Sequence, residues 1–219
     1  MSDSIKWVLN TISGGGRYMD LMSLEHTAKA REFHRSFPQY APTPLVRLEG
    51  MARRLGLGGL YVKDESYRFG LNAFKVLGGS FAMARYIAGE LGRDVSELSY
   101  SYLTSPRLRE DFGQATFFTA TDGNHGRGVA WAASRLGQRA VVHMPKGTRP
   151  TRFENIAREG AQVTIEEVNY DDCVRMAAAE AARTEHGVIV QDTAWDGYEE
   201  IPSWIMQGYG TMAGEAGEQ

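Results

Sequence analysis

From residue 116 onward the chain alternates short apolar runs with amphipathic stretches, and this alternation restricts the fold more than any other feature of the sequence. Strands are predicted at residues 116–121, 139–144, 162–168 and 188–191, and single helices between them at 124–136, 149–158 and 171–183. A strand that returns to its own sheet through one helix runs parallel to its predecessor by a right-handed crossover, so the expected fold class is α/β with an open parallel sheet flanked by helices. The helix faces agree with this. Val129, Ala133 and Leu136 share one stripe and Val174, Ala177, Ala178 and Ala181 another, with glycines at 137, 160 and 187 where helices should end. No short-period repeat accompanies the alternation, which argues against a solenoid.

The region before the alternation is less regular. The first forty residues are polar, with a Gly14-Gly15-Gly16 loop and a short helix expected at 24–33, and read as an arm laid on another surface. Pro42 and Pro44 precede a helix expected at 47–55, ended by glycines at 56, 58 and 59, and residues 60–63 read as a short strand. Lys75 opens an apolar helix to about residue 91, and the polar stretch 93–114 reads as an insertion loop with some local helix. At the other end, Ile205, Met206, Tyr209 and Met212 have helical spacing but lead to no further strand, so the sheet is expected to be interrupted.

Composition narrows the function. With 219 residues, 42% hydrophobic and 23% charged, the chain has length for a buried core and one to two domains. Its net charge of -3 is spread along the sequence, which gives no footprint for nucleic acid or an acidic membrane surface. The one cysteine, Cys173, excludes an internal disulfide framework and reads as a small core residue, and no Cys/His cluster has metal-ligand spacing. The N-terminal apolar run is too short for a signal peptide and no stretch is long enough to span a bilayer, so a cytoplasmic location is expected.

Two motifs carry chemistry. Asn72-Ala73-Phe74-Lys75 followed by Gly78-Gly79 places an amine at a helix start, and Thr121-Asp122-Gly123-Asn124-His125-Gly126 follows a predicted strand. Such a lysine can form a Schiff base with an aldehyde cofactor, and such a turn can offer an amide side chain and free N–H groups to it; pyridoxal phosphate needs both. Read residue by residue, the alternatives stay open. Asp122-Gly123-Asn124 is also a common strand-to-helix turn, His125 could face solvent at the helix start, and Asp192 could be a turn carboxylate, with Asp196 better suited to a loop.

Taken together, these segments resemble the tryptophan-synthase-like (fold type II) pyridoxal phosphate enzymes. The likeness rests on Ala41-Pro42-Thr43-Pro44-Leu45, Val62-Lys63-Asp64-Glu65, the Lys75 motif and the residues 119–126. A narrower likeness, to the ammonia-lyase branch acting on 2,3-diaminopropionate, rests on Arg127-Gly128-Val129-Ala130-Trp131, Met144-Pro145-Lys146-Gly147 and Gln191-Asp192-Thr193-Ala194-Trp195, and continues to Tyr209. The resemblance implies pyridoxal 5'-phosphate in Schiff-base linkage to Lys75, with Phe74 and Asn124 at the cofactor and Gly123 and His125 at the substrate carboxylate. It implies α,β-elimination of the diamino acid to pyruvate and ammonia: Asp122 takes the α-proton of the D-isomer, Lys75 serves the other face, and Asp192 is the candidate acid for the leaving amine. A small-molecule amino-acid substrate and a homodimer are implied with it.

The resemblance also implies that the chain corresponds to the N-terminal half of such an enzyme. Residues 1–75 would be an arm and the first part of a large domain, 76–190 a small parallel α/β domain, and 191–219 the start of the remainder of the large one, which is then incomplete. The family's phosphate loop and ring-nitrogen partner come from later sequence. On that division the strand at 60–63 and the helix from Ile205 should expose unpartnered apolar faces. Rival readings are a threonine/serine dehydratase or cysteine-synthase-like enzyme of the same fold, and a non-catalytic interaction module.

Overall fold

The computed structural model describes residues 20–219; the Gly14-Gly15-Gly16 loop lies outside the described residues. Strands β1 (Leu45–Arg47) and β2 (Tyr61–Lys63) form an antiparallel pair around helix α2 (Glu49–Leu55), with α1 (Leu24–Arg35) before them. Helix α3 (Lys75–Glu90) follows a 3-10 segment, Glu65–Gly70, and leads through α4 (Tyr100–Leu103) and α5 (Pro106–Asp111) to the main sheet. That sheet comprises β3 (Thr116–Ala120), β4 (Arg139–Met144), β5 (Gln162–Ile165) and β6 (Gly187–Ile189), in the order β5-β4-β3-β6 and parallel throughout. Helices α6 (Asn124–Arg135), α7 (Pro150–Ala157) and α8 (Tyr170–Arg183) make the crossovers, and α9 (Glu200–Glu218) ends the chain.

Strand alternation sorts side chains to the two faces of the sheet. Phe118, Ala120 and Val141 meet Cys173, Ala177 and Ala181 of α8 on one face. On the other, Val142 and Met144 pack with Ala130 and Ile156 of α6 and α7, and Phe117 joins the larger core built around α3. Cys173 is fully buried in this packing, as a small core residue should be.

Several expectations are corrected. The strand expected to reach residue 168 stops at Ile165, although Lys146 N–H still donates to Val168 O at 2.9 Å. Strand β1 has no periodic signal in its three residues and exists because β2 supplies its hydrogen bonds. The stretch 93–114 is not a loose insertion: Asp94, Ser99 and Ser105 each cap a short helical turn, and Val95, Leu98, Leu103 and Leu108 are buried in the main core. Helix α9 is not unpartnered either. It packs on α1 and α3, burying Ile205 and Thr211, because Gly78 and Gly208 let the α3 and α9 backbones close. A Cβ on Gly208 would lie 2.4 Å from Leu77 O. On the hairpin the expectation stands, with Val46, Tyr61 and Val62 exposed.

The route into Lys75 is held by buried charge. Arg68, 1% exposed, donates to Glu65 and to Glu215 of α9 at 2.7 to 2.8 Å, and Lys63 Nζ reaches Glu215 at 2.9 Å. Burial works against the Glu215 carboxylate, but hydrogen bonds from Arg68 and Lys63 and the Arg68 charge outweigh it and hold its pKa down at about 2. Phe69 and Asn72 both adopt left-handed backbone in this segment, with φ of 49° and 58°. Arg127 Nη1 ties the segment to α6 through Leu71 O at 3.1 Å.

Candidate active site

A cleft of about 730 Å³ opens where the start of α3 faces the C-terminal end of the parallel strands. This is where open α/β sheets collect ligands. Lys75, Asp122, Gly123, Asn124, His125 and Asp192 all line it. Phe74 does not: it lies behind Lys75, edge-on to Tyr209 with ring centroids 5.0 Å apart. Six of the seven residues singled out in the sequence therefore meet in one space although they come from three separate parts of the chain.

Lys75 is the first residue of α3 and its Nζ donates to Asp192 Oδ2 at 2.7 Å. The ammonium also lies 5.6 Å from the centroid of Phe74 and 5.3 Å from that of Tyr209. Gly128 makes this placement possible. A Cβ there would sit 2.8 Å from Val76 N and 3.0 Å from Lys75 C, so glycine alone lets α6 lie against the start of α3. Tyr209 escaped the sequence reading because its helical spacing marks it only as part of an apolar face.

The Thr121–Gly126 turn is an open helix start. Thr121 Oγ1 accepts from Gly123 N–H at 3.0 Å and from one first-turn donor of α6, Gly126 N–H, at 3.2 Å, while the N-cap residue Gly123 has no side chain to cap the others and Asn124 is exposed to the cleft. Such a start favours an anion. Asp122 is mostly exposed and pairs with Arg152, which donates to its carboxylate at 3.2 Å and its backbone oxygen at 2.7 Å. Nothing in the sequence pointed to Arg152, which is carried in by α7.

One alternative left open by the sequence is decided here. His125 does not face solvent: it is 5% exposed, and its Nε2 lies 2.9 Å from Val190 O. Burial pushes its pKa below the ordinary value, more strongly than Asp192 and Val190 O raise it. Asp192, the candidate acid for the leaving amine, pairs with Lys75 at 2.7 Å. Burial works against its carboxylate, but positive charge on His125 and the hydrogen bond and charge of Lys75 hold its pKa below the ordinary range. Because His125 is itself kept neutral at ordinary pH, the Lys75 ammonium is the cation that Asp192 faces there.

The chemistry of these donors fits pyridoxal phosphate at its aldehyde and ring: a primary amine reaches the cleft, an amide stands at an open helix start, and aromatic surface backs the amine. The glycines at 208, 210, 214 and 217 lie within α9 and form no phosphate loop.

Comparison with known proteins agrees with this geometry. The chain is 51% identical, across its whole length, to 55% of a diaminopropionate ammonia-lyase from Salmonella typhimurium. The holo form of diaminopropionate ammonia lyase from Escherichia coli, and the same enzyme in complex with D-serine, each superpose with a TM-score of 0.84 at 48% identity, over 91% of this chain and 50% of theirs. The chain thus spans about half the length of the relatives it matches. Residues 37–219 match the family described as pyridoxal-phosphate dependent enzyme. By that match, and with an amine-bearing cleft of the required chemistry at the sheet's C-terminal end, the chain belongs to the pyridoxal-phosphate dependent enzyme family, on the fold type II architecture.

Proposed function

We propose that the protein carrying this chain eliminates ammonia from 2,3-diaminopropionate, giving pyruvate and a second ammonia, with pyridoxal 5'-phosphate as cofactor. The observation that carries the reading is the Lys75–Asp192 pair at 2.7 Å, facing Asp122 and the open start of α6 across one cleft. The likeness to diaminopropionate ammonia-lyases over the whole chain supports the same substrate.

Pyridoxal phosphate, when bound, supplies an electron sink for the carbanion at the substrate's Cα. Lys75 would hold its aldehyde covalently, Phe74 would back the amine, and Asn124 would hydrogen-bond the ring oxygen. Gly123 and the free N–H groups at the start of α6 would receive the substrate carboxylate, with His125 beside them. Asp122 would take the α-proton of the D-isomer and the freed amine of Lys75 that of the L-isomer, each from its own face. That the Escherichia coli relative binds D-serine supports a site open to D-configured amino acids. Asp192 would orient the Lys75 amine.

The remaining proposals follow from the same likeness. Residues 76–190 would form the small domain, and 1–75 and 191–219 would belong to a larger one. A homodimer is supported by the exposed apolar hairpin residues Val46, Tyr61 and Val62. A cytoplasmic location is supported by the cofactor chemistry and the single, buried cysteine; no described helix is long and apolar enough to cross a membrane.

Two measurements test the reading. Borohydride reduction of the cofactor-loaded protein followed by peptide mapping should mark Lys75, and marking of another lysine would overturn it. Asp122→Asn should lower turnover of D-diaminopropionate by about 10²-fold or more, and that of the L-isomer far less. Equal losses for both isomers would reduce Asp122 to a structural role.

A further inference from the structure

We infer that His125 stores the proton that Lys75 must shed before its amine can bond the cofactor aldehyde, with the Asp192 carboxylate passing the proton between them. The inference rests on the reading of Lys75 given above. It starts from a buried atom that has no partner: His125 Nδ1 makes no hydrogen bond, although buried polar atoms almost always do.

The tautomer follows from geometry. His125 Nε2 lies 2.9 Å from Val190 O, and a carbonyl oxygen only accepts, so Nε2 carries the hydrogen and Nδ1 of the neutral ring bears a lone pair. That lone pair lies 3.6 Å from Asp192 Oδ2, the same oxygen that accepts from Lys75 Nζ at 2.7 Å. One carboxylate oxygen therefore has a proton donor on one side and a vacant base on the other. Catalytic hydrogen bonds are often long before ligands bind, and a shift of a few tenths of an ångström would close this one.

The transfer balances. An N–H bond of Lys75 breaks and its electron pair stays on Nζ as the nucleophile; Oδ2 of Asp192 receives the proton and releases it; an N–H bond forms at His125 Nδ1. Before transfer the charges on Lys75, Asp192 and His125 are positive, negative and neutral; afterwards they are neutral, negative and positive. The net charge of the buried group is unchanged, which avoids the cost of creating an uncompensated ion.

The surroundings favour this direction only when Lys75 gives up its proton. Charged groups acting on His125 are Asp192, beyond β6, and Lys75, on α3. Next to Asp192, burial and then the Asp192 charge push the phenols of Tyr170 and Tyr209 up, and burial pushes that of Tyr198 up, so all three remain neutral. Asp122 is engaged by Arg152. Burial lowers the proton affinity of the resting ring, and the positive end of α6 acts in the same direction. His125 acts through Asp192 and is in that sense a positioning residue.

The test begins without cofactor. Ring resonances of His125 followed by NMR across pH in the cofactor-free protein should show its midpoint rising by about one unit or more in Lys75→Met and in Lys75→Gln, because Asp192 then has no other cation. The rise should vanish when Asp192→Asn is added. No rise in either lysine variant, or a rise that persists without Asp192, overturns the inference. A second readout is the rate at which borohydride-trappable cofactor forms. His125→Asn should slow it about tenfold near neutral pH, with recovery as pH rises and solvent takes the proton directly. Trapping at Lys75 with an unaltered rate and pH profile in His125→Asn would remove the relay and leave the lysine assignment standing, whereas trapping at another lysine would remove both.

Discussion

The parallel sheet and the segment that leads into Lys75 sit side by side and are held together by different physics. In the sheet, Phe118, Val141, Val142 and Met144 bury apolar side chains against the crossover helices α6, α7 and α8. In the segment from Ala41 to Asn72 the buried groups include Glu65, Arg68 and, brought from α9, Glu215; the backbone passes through left-handed conformations at two residues other than glycine. The first region follows from local pattern and hydrophobic burial. The second depends on an ion pair, Arg68 with Glu215, whose partners are 147 residues apart in sequence. The cleft lies at their junction: the sheet supplies Asp122 to His125, and the charge-held segment delivers Lys75.

The largest effect should come from breaking the charged side of this comparison. Arg68→Ala would leave Glu65 and Glu215 buried without their main cation, at a cost of about 3–5 kcal/mol measured by urea unfolding. A loss below about 1 kcal/mol would mean that the segment is held by its apolar contacts and that the contrast drawn here is false. Acid gives a second view. Glu215 has a folded pKa of about 2 against an ordinary 4.5, so its contribution is fully present above the ordinary value and is lost as pH falls through about 2. Unfolding followed over that range should show a stability loss that Glu215→Gln abolishes.

The difference between the regions also explains what could be read from sequence. Strand β4 falls on the predicted residues 139–144, and α6 starts at Asn124 as predicted, because periodicity and a strand-to-helix turn are local signals. The convergence of Lys75, Asp122, Asn124 and Asp192 was legible because each belongs to a motif at a strand end or helix start. Arg68 with Glu215, Tyr209 against Lys75, and Arg152 across Asp122 carry no such signal. Each is a pairing between distant elements, fixed only once the helices have packed. His125 shows the same limit in a single residue: its place in the turn was visible, but its burial depends on Val190 and Asp192, which follow β6.

A smaller effect tests the junction itself. Gly128→Ala would put a Cβ 2.8 Å from Val76 N and 2.9 Å from Val76 Cα, and those are backbone atoms that cannot rotate away. Helices α3 and α6 must then separate, at about 1–3 kcal/mol. Because Lys75 opens α3, the same change should weaken attachment of the cofactor aldehyde more than stability alone accounts for. Gly89→Ala, on the same α3 but with open space around it, is the control and should be neutral or slightly stabilising.

The smallest expected effect lies wholly inside the locally determined region. Asn169 precedes α8, and its side-chain oxygen accepts from Asp172 N–H at 2.9 Å, which satisfies one of the donors that a helix start leaves free. Asn169→Ala should cost about 1 kcal/mol and Asn169→Gly only a few tenths, since glycine leaves room for water to take the same N–H. The loss should appear as faster amide exchange at Asp172 and its neighbours in the first turn, with the Lys75 side of the cleft unaffected. If the cap is as local as this, Asn169→Ala and Arg68→Ala combined should lose the sum of their separate costs. A combined loss differing from that sum by more than about 0.5 kcal/mol would show that the sheet and the charge-held segment unfold as one coupled structure rather than as two differently stabilised ones.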